Sequence, residues 1–530
     1  MSAVDDISPN STQPPETAPI QAPKDMVPTI LSLSGIWWIV LPLAIFCIAI
    51  LRPIQPNDFW WHIRTGQIIL ETGQIPTTDA FSFTRSGETW INQSWMMQVI
   101  LYYIYSHSGI ARDSGLAMVL MVHGLLIASG YTLVLRQVGR QWGVRVGVLA
   151  TAFGAAVGIM NWAVRPQAVS FLYFGFLIYL IEEHRAGRQA KLWWSVPLFA
   201  LWVNSHGGFI FGLATLGLYV IGRLFAHLVT GRPAAEERST ILLATNGLMA
   251  LAAIGLNPEG PLGIINYVLG FFRSDVTIQS NIEFVPLTIR YVDGAILFVV
   301  LLLLVLCLLR TQWRLKPSQV LTLLAFLALA LWTRRGMPWL GFVLIPILAQ
   351  GLDALWRRRG DVPVGQPALN GMILTILGIF ALLALPWWRS SLPLQPEQRL
   401  LASSNTPAAA AAFLCTNPTT GAHGTMPQED VRIFQHFAFA SYQIWACPNH
   451  PVFADTRIEL YDGDIWADYF VLSLGRFDWE SVADKYGITH LFLDPIQQAQ
   501  GIRAAQAAPC WVEIYTDDTA SIFAREQVCP

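Results

Sequence analysis

Pro56-Asn57-Asp58-Phe59-Trp60-Trp61-His62-Ile63-Arg64-Thr65-Gly66 follows directly on an apolar run at 35–51. Read as a helix start, it has Asn57 as cap and Asp58 in the first turn, where the helix dipole favours an ionised carboxylate. His62, four residues on, shares that helix face with Asp58. Phe59, Trp60 and Trp61 suit the depth at which aromatic rings anchor in a bilayer interface. The stretch thus sets a carboxylate and an imidazole together at a lipid–water boundary, and its meaning depends on whether a membrane lies beside it.

Composition supplies the membrane. Of 530 residues, 54% are hydrophobic and 13% charged, with a mean hydropathy of +0.45. So little charge cannot cover so much apolar surface in water, and the chain reads as mainly α, a polytopic transmembrane bundle. By the roughly 17–25 residues a spanning helix needs, about eleven segments qualify: 35–51, 115–135, 143–163, 166–182, 191–205, 208–229, 240–257, 294–310, 318–333, 338–355 and 368–387. Residues 1–33, rich in Pro, Ser, Thr and Gln, read as a disordered tail without the basic start of a signal peptide. The net charge of −2 and the lack of a basic motif give no reason to expect nucleic acid.

Lysine and arginine bias orients the bundle. Alternate loops carry Arg136, Arg140 and Arg145; Arg185, Arg188 and Lys191; Arg232 and Arg238; Arg310, Arg314 and Lys316; and Arg357, Arg358 and Arg359. These are the expected cytoplasmic loops. The N-terminal tail then lies inside, the first outer loop at 52–95 outside, and everything after about 388 outside. Three arginines break the pattern: Arg165 in the outer turn Asn161-Trp162-Ala163-Val164-Arg165-Pro166-Gln167, and Arg334 and Arg335 in the turn before Pro338. Turns this short hold the guanidinium groups at the interface, where their forks match phosphate oxygens; snorkelling to lipid headgroups is the plainer alternative.

The string Asp58 to Gly66, followed by Ile75-Pro76 and Asp79-Ala80-Phe81-Ser82-Phe83-Thr84, resembles the first periplasmic loop of a group of bacterial polytopic proteins with the GT-C glycosyltransferase architecture. Arg165-Pro166-Gln167, Asn204-Ser205-His206-Gly207, Asn257-Pro258 and the Arg334-Arg335 turn are similar to further recurring blocks of that group. The wider superfamily includes protein O-mannosyltransferases, aminoarabinose transferases and oligosaccharyltransferase catalytic subunits. The resemblance implies a multi-pass protein of a bacterial inner membrane, a polyprenyl-phosphate or polyprenyl-diphosphate sugar donor, and a glycan, lipid or protein acceptor. It also implies a catalytic carboxylate in the first outer loop, and Asp58 is the position that matches.

On this reading Asp58 is the base for the attacking hydroxyl, and Arg165, Arg334 and Arg335 hold phosphate. His62, Arg64, His206 and Glu283 complete the expected substrate-binding set, with Glu283 in the outer stretch 258–293. Many relatives carry two neighbouring acids where this chain has Asp58 followed by Phe59 and Trp60. One carboxylate and a histidine do not make the oxygen-rich set a divalent cation needs, so no metal or other cofactor is assigned. Asp79 reads as a turn cap.

Residues 34–388 form the transmembrane domain on this view, and 389–530 a small outer α/β domain. Strands are expected at 431–434, 451–454, 490–493, 511–515 and 520–524, and helices at 407–415, 436–446, 464–473 and 478–486. Cys415, Cys447, Cys510 and Cys529 in an oxidising compartment suggest disulfides, with Cys415–Cys447 and Cys510–Cys529 the most local of three pairings. The segment Asp455-Thr456-Arg457-Ile458-Glu459-Leu460-Tyr461 is the place to look for a sugar or acceptor contact, or else is a charged surface turn. Two other functions stay open from sequence: a non-catalytic envelope assembly or binding protein, and a transporter, although the latter would place its charges nearer the bilayer midplane.

Overall fold

The computed structural model describes residues 33–109, 114–230, 234–270, 285–356, 366–416, 420–421, 424–425 and 431–526. The N-terminal tail, Glu283, Cys529 and most of the loop carrying Arg357–Arg359 lie outside them. The membrane region is built from α1 (Leu33–Ile50), the amphipathic α2 (Phe59–Thr72) and α3 (Trp95–His107), then α4 (Ser114–Trp142), α5 (Val144–Gly158) and α6 (Ala168–Arg185). It continues with α7 (Ser195–Trp202), α8 (Phe209–Thr230), α9 (Ala234–Ala253), α10 (Gly260–Gly270), α11 (Val292–Arg310), α12 (Pro317–Trp332), α13 (Met337–Trp356) and α14 (Pro367–Leu383). Six helices among the described residues are long and apolar enough to cross a membrane, and shorter apolar helices accompany them. The chain is a multi-pass membrane protein.

The segment expected at 191–205, short enough to be tilted, broken or merged with a neighbour, is broken: a 3₁₀ turn at Gln189–Trp194 runs directly into the eight-residue α7. At about 2.0 and 1.5 Å per residue the two together cover about 24 Å, and they return the chain to the start of α6, where Trp202 meets Ser170.

Small residues let the central helices approach backbone to backbone. A Cβ on Gly154 of α5 would fall 2.6 Å from the Gly341 carbonyl oxygen of α13, and one on Gly175 of α6 would fall 2.7 Å from the Gly130 carbonyl carbon of α4. Apolar side chains give no hydrophobic advantage over lipid tails, so close packing of this kind is what holds such helices together. Around these crossings Tyr131 and Phe342 stack at 4.3 Å between ring centroids, and Trp339 lies against Phe171, Phe174 and Phe211.

The outer domain is a four-stranded sheet with helices about it. In chain order β1 is Ile433–Gln435, β2 His490–Leu493, β3 Trp511–Thr516 and β4 Ser521–Arg525. The spatial order is β1-β2-β4-β3, with β1 parallel to β2 and the other pairings antiparallel. Helices α15 (Ala408–Thr416), α16 (Phe437–Ala446), α17 (Gly463–Ser473), α18 (Trp479–Tyr486) and α19 (Ala499–Ala507) surround it. Residues 451–454 contribute isolated bridges at Val452, to Ser82 and Ile433, in place of the expected strand. Cys415 and Cys447 form a disulfide that ties α15 to the end of α16. Cys510 is also disulfide-bonded, and Cys529, its expected partner, lies outside the described residues.

The two regions are tightly joined. Arg389, fully buried where the chain leaves the membrane region, donates to the carbonyls of Ile50 and Leu400. Helix α2 lies between α3 and α16: Trp60 meets Tyr442 edge-on at 5.0 Å, the Trp61 backbone N–H donates to Ser441 Oγ at 3.1 Å, and Trp61 Nε1 donates to Thr456 Oγ1 at 3.0 Å. Gly66 is where α3 crosses closely, since a Cβ there would sit 2.9 Å from Tyr102 Cβ.

Candidate active site

The helix expected at Asp58 begins one residue later than the sequence implies. Asp58 occupies the cap position of α2, yet its carboxylate makes no capping hydrogen bond. It turns instead to Arg165, whose Nη1 donates to Asp58 Oδ2 at 2.5 Å across 107 residues of sequence. Both side chains stay partly accessible, 19% for Asp58 and 14% for Arg165, so the pair is open to a ligand. Asp58 is therefore more than a helix cap.

His62 lies one turn further along α2, its ring centroid 3.5 Å from that of Trp61. Asn92 Nδ2 donates to Gln98 Oε1 at 2.9 Å, which turns the Gln98 amide nitrogen, 3.1 Å away, toward His62 Nδ1. Nδ1 is then an acceptor and the ring proton belongs on Nε2. Burial, followed by the neighbouring His206, Arg165 and Arg457, holds His62 well below the usual imidazole range.

His206, in the turn between α7 and α8, is tuned the same way. Its Nδ1 accepts from the Gly208 N–H at 3.0 Å and lies 2.9 Å from Ser170 Oγ, which itself accepts from Trp202 Nε1 at 2.8 Å. Burial and the charges of Arg165 and Arg335 lower His206 to about 3. Both imidazoles are thus neutral, each with an Nε2–H to offer: hydrogen-bond donors that bring no charge of their own.

The two arginines of the second turn separate. Arg334 Nε donates to Asp293 Oδ2 at 2.8 Å, and its guanidinium lies 5.0 Å from the Tyr291 ring, which ties the start of α13 to the start of α11. Arg335 lies within electrostatic reach of His206 and Tyr267. The geometry brings Asp58, His62, Arg165, His206 and Arg335 to one end of the bundle and assigns Arg334 a structural partner.

Arg64 is not part of this cluster. It points round α2 to Gln67 Oε1 at 2.8 Å, as expected of a residue about 200° from His62 on a helical wheel. Glu283 lies outside the described residues. Asp79 caps its turn as expected, accepting from the Phe81 N–H at 3.1 Å, while the 455–461 segment differs most from expectation. Asp79 is buried and accepts from Ser82 N at 3.0 Å and from Arg457 Nη2 at 2.6 Å; Arg457 also grips Asp455 with both Nε and Nη2. The guanidinium lies 4.6 Å from the Trp90 ring and 5.0 Å from that of Phe81. Asp455-Thr456-Arg457 is therefore a buried lock between the outer domain and the first outer loop, not a surface turn.

No three acids, histidines or cysteines come together as metal ligands among the described residues. With the Asp58 carboxylate engaged by Arg165 and no second acid grouped with it among the described residues, these residues offer few of the oxygen ligands a divalent cation takes. Sequence reasoning missed Gln98, Ser170 and Tyr267. Each serves the site from a different helix, and ordinary polar residues at helix ends carry no local signal of such a role.

No protein-family model matches the chain, and no curated protein does. Solved structures do. The oligosaccharyltransferase AglB of Archaeoglobus fulgidus, in complex with an inhibitory peptide and a dolichol-phosphate, is similar with a TM-score of 0.55 at 12% identity, over 93% of this chain and 74% of that one. The apo ArnT of Cupriavidus metallidurans gives 0.51 at 13% identity, over 92% of this chain and 97% of that one. The chain shares its fold with these two proteins. Within it, the rim that gathers Asp58, Arg165, His206 and Arg335 lies where the membrane helices meet the outer domain, and α2 is held between the two.

Proposed function

We propose that this protein is a GT-C membrane glycosyltransferase that moves a sugar from a polyprenyl-phosphate or polyprenyl-diphosphate donor to an extracytoplasmic acceptor. The observation that carries the reading is the Asp58–Arg165 pair, set beside two neutral histidines and Arg335. The dolichol-phosphate in the AglB complex supports a lipid phosphate as the donor's leaving group. The orientation that goes with it has the N-terminus inside, about eleven hydrophobic segments in the bundle, and residues 389–530 outside a bacterial inner membrane.

Chemically the donor asks little of the protein. Its phosphate is already a weakly basic leaving group, so charge stabilisation and a base for the acceptor suffice. Arg165 and Arg335 take the phosphate, and the Nε2–H groups of His62 and His206 orient substrate oxygens. As phosphate draws Arg165 away, Asp58 is released. The acceptor oxygen then bonds to the sugar's anomeric carbon, the bond from that carbon to phosphate oxygen breaks with its electron pair leaving on the lipid phosphate, and the acceptor proton passes to Asp58.

The test is sugar release. Full-length protein in lipid nanodiscs, offered a panel of polyprenyl-linked sugars, is expected to release sugar from one class of donor and leave the free lipid phosphate. No release from any donor, with undecaprenyl phosphate failing to bind, overturns the reading.

A further inference from the structure

The outer domain does more than cover the site. Residues 456–460 are held from both sides: Thr456 by Trp61, Arg457 by Asp79 and Asp455, and Leu460 by packing against the Trp61, Phe81 and Trp90 cluster. Between these anchors Glu459 stands exposed in the single 3₁₀ turn Ile458–Leu460. It lies within electrostatic reach of Arg335 and of Tyr267 from the membrane region. Tyr267 in turn presses on the backbone beside His206: a Cβ on Gly207 would sit 3.4 Å from the Tyr267 hydroxyl and 3.8 Å from Gln93 Oε1. The rigid turn thus carries one carboxylate of the outer domain to the edge of the cluster that holds Arg335 and His206.

Resting on the transferase reading above, we infer that Glu459 is the acceptor-binding carboxylate of the site, holding a hydroxyl or ammonium group of the incoming acceptor on the side away from the membrane. A carboxylate offers only acceptor oxygens, so its ligand must bring a hydrogen-bond donor or a positive charge. The same charge repels the donor's phosphate, which leaves the lipid side to Arg165 and Arg335 and the aqueous side to Glu459. Specificity of this kind needs a group on a fixed backbone, and the Asp79–Arg457–Asp455 lock next to Glu459 supplies it. Arg457 and Arg335 both lie within electrostatic reach of the exposed Glu459 carboxylate.

The experiment uses full-length protein in nanodiscs, the radiolabelled donor found by the panel, and washed envelope vesicles from a strain lacking the chain, titrated as acceptor. Glu459→Gln is expected to raise the vesicle amount needed for half-maximal transfer about tenfold or more, the loss of one hydrogen bond to a charged group. Sugar release to water and undecaprenyl phosphate binding stay within about twofold of wild type, and Glu459→Asp recovers part of the loss. An unchanged vesicle requirement in both variants overturns the assignment while leaving the transferase reading intact. A parallel fall in sugar release and lipid binding also overturns it, because Glu459 would then serve the donor. A wild-type chain that releases no sugar overturns both.

Discussion

The first outer loop carries two aspartates 21 positions apart, and they have opposite surroundings. Asp58 pairs with Arg165 in a site where both side chains keep some contact with solvent. Asp79 pairs with Arg457 where neither side chain is accessible at all. Both are carboxylate–guanidinium contacts at short range, yet only one can exchange its partner for a ligand. Separating buried charges leaves each uncompensated, which costs several kcal/mol, whereas a pair at the edge of a site gives way to a competing phosphate. On the proposed function, accessibility and not the presence of an ion pair is what sets Asp58 apart from Asp79.

Three tests probe that contrast, in order of falling effect. Asp58→Asn keeps the shape and removes the proton acceptor, so transfer should fall roughly 10²- to 10⁴-fold with the melting temperature unchanged. A mild loss here, matched by an equally mild loss for Asp79→Asn, would erase the distinction. Asp79→Asn leaves Arg457 short of one counter-charge although Asp455 remains. Stability should drop by about 1–3 kcal/mol, read as a lower melting temperature, with transfer per folded molecule preserved. A rate defect without a stability defect would move Asp79 into the site. The third repeats the contrast on neighbouring residues: Arg335→Ala should weaken undecaprenyl phosphate binding about tenfold. Arg334→Ala, which strands the buried Asp293, should lower the melting temperature and leave binding within about twofold. Reversed roles would show that Arg334 abandons Asp293 for the ligand.

The sequence was most readable where a periodic or compositional signal is strong. Apolar runs located the membrane helices, and the breach of the charge bias singled out Arg165 and Arg335, which the fold brings to the end of the bundle that holds Asp58 and His206. It failed where the answer depends on what comes from elsewhere. Arg334 and Arg335 are identical neighbours, and only the approach of Asp293 from α11 separates them. Asp455-Thr456-Arg457 has the composition of a surface turn and is buried because Asp79 and the rings of Phe81 and Trp90, more than 360 residues earlier, close over it. Residues 191–205 are apolar enough to suggest a span, but hydropathy does not register that the helix is broken there into a 3₁₀ turn and α7. Helix α19 was missed although it is amphipathic, because the residues it buries, Gly501 and Ala505, are too small to stand out as an apolar face.

The hold of α16 and Thr456 on Trp61 also dictates an order of events during synthesis. The groups that clamp Trp61 lie 380 and 395 residues downstream. At roughly 5–20 residues per second, the ribosome needs on the order of 20–80 s to make that interval. Throughout it, the loop bearing Asp58 exists without the protein surface that packs against it. The nascent chain can therefore insert its early helices while α2 still lacks one of its two flanks, which is complete only after the last quarter of the polypeptide has been made, folded and cross-linked at Cys415 and Cys447.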